Sequence, residues 1–284
     1  MQKKRIFKHA NISKALILTL LFVLAACGSG GGSAPQSNTP QNNNSPQNSP
    51  SPAIANASPA GIWQGTFHSN LTGLNEQATG IVIGNGEARF STTAPLAGVQ
   101  YVGSVSTQGN NLSGTITGYA PQGYVFSNGL QWETVSISGT VQAQDSISGT
   151  YNNGVGDTGT FSLTYNQVYN NASSLSFFTA ANGFFNQPII SGPFNESGGL
   201  ITEIGISTDS NGNITGNYFV QNSNLEFGLM GGSAVTIIDP AHNAYRITLN
   251  FGGDYGNYTG LCFVEGNAIN LFISNGSNAI SGTS

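Results

Sequence analysis

The chain has 284 residues, of which 7 are Lys or Arg, 12 are Asp or Glu and 39 are Gly. Five of the bases lie within the first 14 residues, so the remainder carries Arg89 and Arg246 against all twelve acids, a formal charge near −10. Phosphate recognition draws on clustered Lys and Arg, so this balance excludes nucleic acid as a partner and disfavours an anionic membrane surface.

The first element is an apolar run from Ala15 to Ala26, preceded by Lys3, Lys4, Arg5, Lys8 and Lys14. It is about half the ~20 residues that span a bilayer. A basic head, a short apolar run and small residues at its end predict a cleaved secretory signal over residues 1–26. The tetrapeptide Leu24-Ala25-Ala26-Cys27 resembles the lipobox of bacterial lipoproteins. That resemblance implies cleavage before Cys27, acylation of its sulfur and new amino group (palmitate among the acyl chains), and a membrane anchor made by the lipid. Gly28 after the cysteine, rather than Asp, is similar to lipoproteins sorted to the Gram-negative outer membrane.

From Gly28 to Ser58 the chain is Gly, Ser, Asn, Gln, Pro and Ala, with Ile54 its only large apolar residue. Such a segment cannot bury enough to offset its ordering entropy. Residues 27–58 therefore read as a lipidated cysteine followed by a disordered tether.

The remaining residues, 59–284, read as all-β. In "TVSISGTVQA" Val135, Ile137, Gly139 and Val141 alternate with Thr and Ser; "NLSGTIT", "TFSLTY" and "YRITLNF" alternate likewise. One apolar and one polar face is the antiparallel pattern. Asn-Gly turn signals at Gly84-Asn85-Gly86, Asn152-Asn153-Gly154 and Asn211-Gly212 separate the strands. At most a turn or two of helix is expected near 172–181. The spacing predicts an antiparallel barrel or sandwich, read as two related small barrel-like units over 59–172 and 173–284. The seam falls in "YNNASSLSFFTAANG", Tyr169 to Gly183.

Chemistry is sparse. No serine stands in G-x-S-x-G, the spacing a strained nucleophile elbow requires. His68 and His242 have no carboxylate at a helpful spacing. "DSNGN" at Asp209–Asn213 begins like a calcium loop but has Ile214 where the glycine belongs, so it reads as a hairpin turn. Glu87, Asp157, Asp209 and Asp254 sit in turn contexts, and Glu133 follows Trp132 in a strand. Cys262, in "YTGLCFVEG", reads as a small buried apolar side chain. No metal site, catalytic residue or cofactor is expected.

One motif bears on fold. Gly61-x-Trp63 at the start of an all-β unit resembles the first strand of the lipocalin superfamily and related small barrel lipoproteins. There the Trp plugs the closed end of the barrel and the glycine lets the chain pass close beneath it. "DSISGTYNNGVGDTGTFSLTYNQVY", "DPAHNAYRITLNF" and "GNYTGLCFVEGNAINLFIS" are similar to a group of uncharacterised Gram-negative outer-membrane lipoproteins, which implies a fold and a location but no activity. The expectation is a lipid-anchored outer-membrane protein with a non-enzymatic binding role toward a protein, glycan or small apolar ligand. An exposed aromatic patch would mark a partner surface. A cavity lined by Phe161, Leu163 and Tyr165 would mark an apolar-ligand carrier. Acids converging near Glu133 would mark a carbohydrate-active enzyme.

Overall fold

The computed structural model describes residues 55–93, 98–192, 200–221, 226–253 and 255–284. The readings of the signal segment, of Cys27, of nearly all the tether and of Asp254 lie outside these residues. The fold is all-β, 62% strand and 5% helix, as the alternation predicts.

Eight strands form a closed up-and-down barrel: β1 (Gly61–Ser69), β2 (Asn75–Val82), β3 (Glu87–Thr92), β4 (Gln100–Gln108), β5 (Asn111–Tyr119), β6 (Trp132–Gln142), β7 (Ser146–Asn152) and β8 (Thr158–Asn166). Closure is the antiparallel pairing of β1 with β8, from Ile62 opposite Asn166 to Ser69 opposite Gly159. Closing the sheet removes its edges. So small a circumference needs sharp bends, and inward glycines supply them. Gly139 faces Gly149 across β6 and β7, and a Cβ on Gly139 would come within 2.8 Å of the Gly149 Cα. Glycine at such positions marks a tight barrel corner.

Gly61 and Trp63 lie at one end. Trp63 is fully buried, donates its Nε1–H to the Pro59 carbonyl at 3.0 Å and meets Tyr165 edge-on at 5.3 Å between centroids. A Cβ on Gly61 would stand 2.7 Å from the Tyr165 ring and 2.9 Å from the indole, so only glycine passes there. The chain is tied to the barrel slightly before Pro59: Asn56 Oδ1 accepts from the Gly109 N–H at 2.7 Å, and Thr107 Oγ1 donates to the Ala57 carbonyl at 2.7 Å.

After β8 come a turn of 3₁₀ helix and a short helix α1 (Leu175–Ala180). Ser174 caps α1 by accepting from the Phe177 N–H, and Phe178 is its buried anchor. The second sheet comprises β9 (Phe184–Asn186), β10 (Ile189–Ser191), β11 (Leu200–Thr208), β12 (Asn213–Gln221), β13 (Glu226–Ile237), β14 (Tyr245–Asn250), β15 (Asn257–Glu265), β16 (Ala268–Ser274) and β17 (Ala279–Thr283). Its order is β10-β17-β16-β15-β14-β13-β12-β11-β9, a curled half-barrel. The two edges are consecutive in sequence, separated by Gln187 and Pro188, where Gln187 takes φ 51° and proline lacks a donor. The expected boundary at 172/173 falls in the connection between the two sheets.

The sheets meet along a seam. Ile62, Ile81 and Ile83 of the barrel wall pack with Leu261, Phe263 and Phe272 of the second sheet. Beside them, Ser91 Oγ meets Ser281 Oγ at 2.9 Å, and Gln100 Nε2 donates to the Ile189 carbonyl at 3.0 Å. The strongest polar contact is ionic. Glu87 on β3 accepts from Arg89 at 2.9 Å and from Arg246 of β14 at 2.6 Å, while Arg89 Nη1 donates to Ser274 Oγ at 2.6 Å. Burial would raise the Glu87 carboxyl, but its hydrogen bonds to Arg246 and Arg89 and their charges win, and its pKa lies below the ordinary value.

Glu87→Ala leaves Arg89 half-paired in a mostly buried seam, so it is expected to cost about 2–3 kcal/mol in urea unfolding at pH 7. Because the folded pKa is depressed, this contribution is present above pH 4.5 and is lost as pH falls through the lowered value. The wild type and the variant should therefore converge in stability in acid.

Candidate functional site at the open mouth of the barrel

The barrel interior is layered. Below the mouth, side chains including Phe67, Phe90, Ile116, Ile137, Phe161 and Leu163 fill it, leaving a wholly apolar void of about 30 Å³. Ligand cavities run to roughly 300–1,000 Å³, and an apolar void of this size stays dry. Phe161, Leu163 and Tyr165 do point inward, as their spacing predicts, but they pack against each other's neighbours rather than line an open chamber.

The end opposite Trp63 is different. A mouth of about 140 Å³ is floored by Phe67, walled by Tyr101 and Tyr151, and bounded by the loop residues Val125, Phe126 and Ser127. Phe67 stacks on Tyr101 at 5.4 Å between centroids and touches Tyr151 at 6.4 Å. Three carboxylates line it: Glu76 from the start of β2, Glu133 from the start of β6, and Asp157 just before β8. Alternation puts them there. Glu76 shares its face with Ala78 and Val82, and Glu133 shares its face with Val135, Ile137 and Val141. Each is the last inward position before the rim.

Their environments differ. Asp157 accepts from Ser69 Oγ at 2.8 Å and from the Tyr151 hydroxyl at 3.3 Å. Glu133 accepts from Asn153 Nδ2 at 2.7 Å; the same amide donates to Ser127 Oγ, and Asn153 Oδ1 accepts the N–H groups of Val155 and Asp157. Asn153 thus shapes the β7–β8 turn and holds one carboxylate. Glu133 is raised above its ordinary pKa by burial, with the charge of Asp157 adding to it and the Asn153 bond opposing. Glu76 is raised furthest, from 4.5 to about 7, by burial first, against a hydrogen bond from Thr92 and with Asp157 and Glu133 reinforcing the rise. Its Oε2 is buried and accepts no hydrogen bond. Burial, then the same acids, push the Tyr101 hydroxyl well up. Among the described residues no three His, Cys, Asp or Glu side chains form a metal-holding group, so the carboxylates ring the mouth without converging on a point.

Other residues singled out by sequence lie elsewhere. His68 pairs with Asn75 on the barrel surface, and His242 pairs with Asp239 and stacks on Tyr169 at 4.6 Å. Asp209 spends its carboxylate on the N–H groups of Asn211 and Asn213 and on the Asn213 amide, which lower its pKa and make "DSNGN" a hairpin turn. Trp132 does not accompany Glu133 into the mouth; alternation sends it to the outer surface. Cys262 is fully buried and its thiol is pushed far up by burial, which makes it inert. Glu76 was not legible as a site residue, although a Glu opening the inward series Glu76, Ala78, Gly80, Val82 is the signal that marks it. A larger cleft at the seam, about 620 Å³, contains Arg246, but that cation is committed to Glu87.

A carboxyl whose pKa rises on folding stabilises the fold below its unfolded pKa, and that contribution fades as pH climbs to the folded value. For Glu76 the window runs from 4.5 to about 7. Glu76→Gln should remove a decline on the order of 2 kcal/mol between pH 4.5 and 7.5, read as a flatter profile of thermal midpoint against pH.

No protein-family model, no curated protein and no solved structure matches this chain.

Proposed function

We propose that this chain is a lipid-anchored outer-membrane protein that works by binding rather than catalysis, and that the barrel mouth takes a small organic cation. The anchor rests on the sequence around Cys27: basic head, short apolar run and Leu-Ala-Ala-Cys. Among the described residues no helix is long and apolar enough to cross a membrane.

The observation that carries the ligand class is the pairing of three carboxylates with aromatic walls at a mouth that has no base. Aromatic faces attract cations, most strongly when desolvated, and carboxylates supply the complementary charge. About 140 Å³ suits a substituted ammonium head group rather than a whole large ligand. The filled interior beneath gives no path for an apolar molecule to go deeper. A cation beside Glu76 favours its ionised form, so binding releases a proton near neutrality.

One observation favours a second reading, carbohydrate hydrolysis. Glu76 is held near pKa 7 beside two further carboxyls, the contrast that separates a general acid from its partner. A scissile glycosidic bond is flanked by two sugar rings, however, and the mouth is small for both. The binding reading is therefore preferred.

Titration calorimetry with choline and with 1,4-diaminobutane tests the proposal. Binding should tighten by up to about tenfold from pH 6 to pH 8 as Glu76 ionises, and Glu133→Gln should weaken it. Absence of binding by both cations at millimolar concentration and pH 8 overturns it; release of nitrophenol from a nitrophenyl glycoside, lost in Glu76→Gln, would install the hydrolase instead. Separately, Cys27→Ser should abolish incorporation of radiolabelled palmitate in a Gram-negative host; retained label overturns the anchor assignment.

A further inference from the structure

The second sheet carries a feature that the barrel mouth does not explain. On its outer face, Phe184 of β9, Gly205 of β11, Asn217 of β12 and Leu229 of β13 stand in one cross-strand row. The next row holds Asn186, Glu203 and, edge-on to each other at 5.2 Å, Phe219 and Phe227; Glu203 stands beside the groove rather than in its lining. Phe184, Phe227 and Leu229 are 49%, 55% and 71% exposed, far beyond what a strand needs for packing. Between the Phe184 and Leu229 walls, about 14 Å apart by strand spacing, runs a groove of about 500 Å³. Gly205 has no side chain to fill it, and a Cβ there would stand 2.5 Å from the amide oxygen of Asn217.

We propose that this groove binds a neutral glycan chain. None of its lining residues is ionisable. Its walls are apolar and aromatic, and its polar side chains are the amides of Asn182 and Asn217 and the hydroxyls of Ser207 and Thr215, of which Asn182 Oδ1 accepts from the Phe184 N–H and Thr215 Oγ1 donates to the Ser207 carbonyl. A sugar ring presents the matching pair: an apolar C–H face to lie on a ring, and a rim of hydroxyls that both donate and accept. The alternatives match less well. Anionic polymers and anionic lipid meet a chain with a charge near −10 beyond Cys27, whose two arginines are already paired at the seam. A second copy packed face to face would cover the amide and hydroxyls against apolar side chains, and polar groups buried unpaired are costly. A glycan satisfies both the rings and the amide.

Affinity electrophoresis of the full chain in mild detergent tests this, with native gels containing hydroxyethylcellulose, galactomannan or dextran, and alginate as the anionic counterpart. The expected result is retardation in at least one neutral gel and none in alginate. The double variant Phe184→Ala/Phe227→Ala should weaken it at least tenfold while leaving the urea midpoint and choline binding at the mouth unchanged. That last control separates failure of this site from failure of the mouth. No retardation in any neutral gel, or equal retardation of the double variant, overturns the proposal. A concentration-dependent dimer that the double variant abolishes would replace the glycan with a second copy.

Discussion

Glu87 binds both arginines that follow Cys27, and the electrostatics of the whole described body follow from that one junction. It joins β3 of the closed barrel to β14 of the curled sheet, with Ser274 of β16 as the fourth member. Isolated surface ion pairs contribute little. This one is mostly buried, and a serine hydroxyl supplements its charges. Its further effect is by depletion. With Arg89 and Arg246 committed at the seam, the carboxylates at the barrel mouth have no counter-charge among the described residues. Burial first, and neighbouring carboxylates second, raise Glu76 and Glu133, and a cation from solution would oppose that rise.

The second constraint is volume. Inward glycines let eight short strands close tightly, and the interior that results is filled by Phe, Ile, Leu and Val with about 30 Å³ to spare. The room left for any ligand is thereby confined to the rims and outer faces. At the closed end Trp63 and Tyr165 occupy the axis, and Gly61 is held to glycine by both rings. At the open end the last inward position of each strand is free to be polar, and there Glu76 and Glu133 are found. The lipocalin-like opening motif therefore marks a plug whose geometry is present, on a barrel whose chamber is nearly full.

How much of this could be read from sequence depends on how many faces of each strand are buried. β6 and β8 expose their outer face, so Val135-Ile137-Val141 and Phe161-Leu163-Tyr165 alternate cleanly with Ser and Thr, and their inward faces were legible. "GIVI" across the end of β2 and "LCFV" in β15 are continuous apolar runs, and "INLFIS" in β16 is buried throughout, Asn270 and Ser274 included, because the barrel wall and the second sheet cover both faces. Such runs are the signal of double burial, a signal that the reading of two related units did not use. That Glu76, Glu133 and Asp157 line one mouth was not legible. It depends on barrel register, which brings together the beginnings of strands far apart in the chain, and no local spacing encodes it. Glu133 and Trp132 illustrate the reverse: neighbours in sequence, they lie on opposite faces of the wall.

The second sheet stops short of closing, and its composition explains why that is tolerable. Its two edge strands, β9 and β10, are three residues each, joined through Pro188, so neither edge offers a long template for another chain. Among the described residues no element covers the outer face of β9 and β11–β13. Beyond Trp132 at its start, the outer face of β6 carries Thr134, Ser136, Ser138 and Thr140. The face of β9 and β11–β13 instead carries three Phe and a Leu around the Asn217 amide, with Glu203 beside Phe219. Single exposed apolar residues such as Leu71, Tyr124 and Trp132 occur elsewhere on the described surface, but here four large apolar side chains lie in two adjacent cross-strand rows. Holding such a cluster in water lowers solubility with no gain to the fold, and that cost is the physical ground for the ligand proposed there.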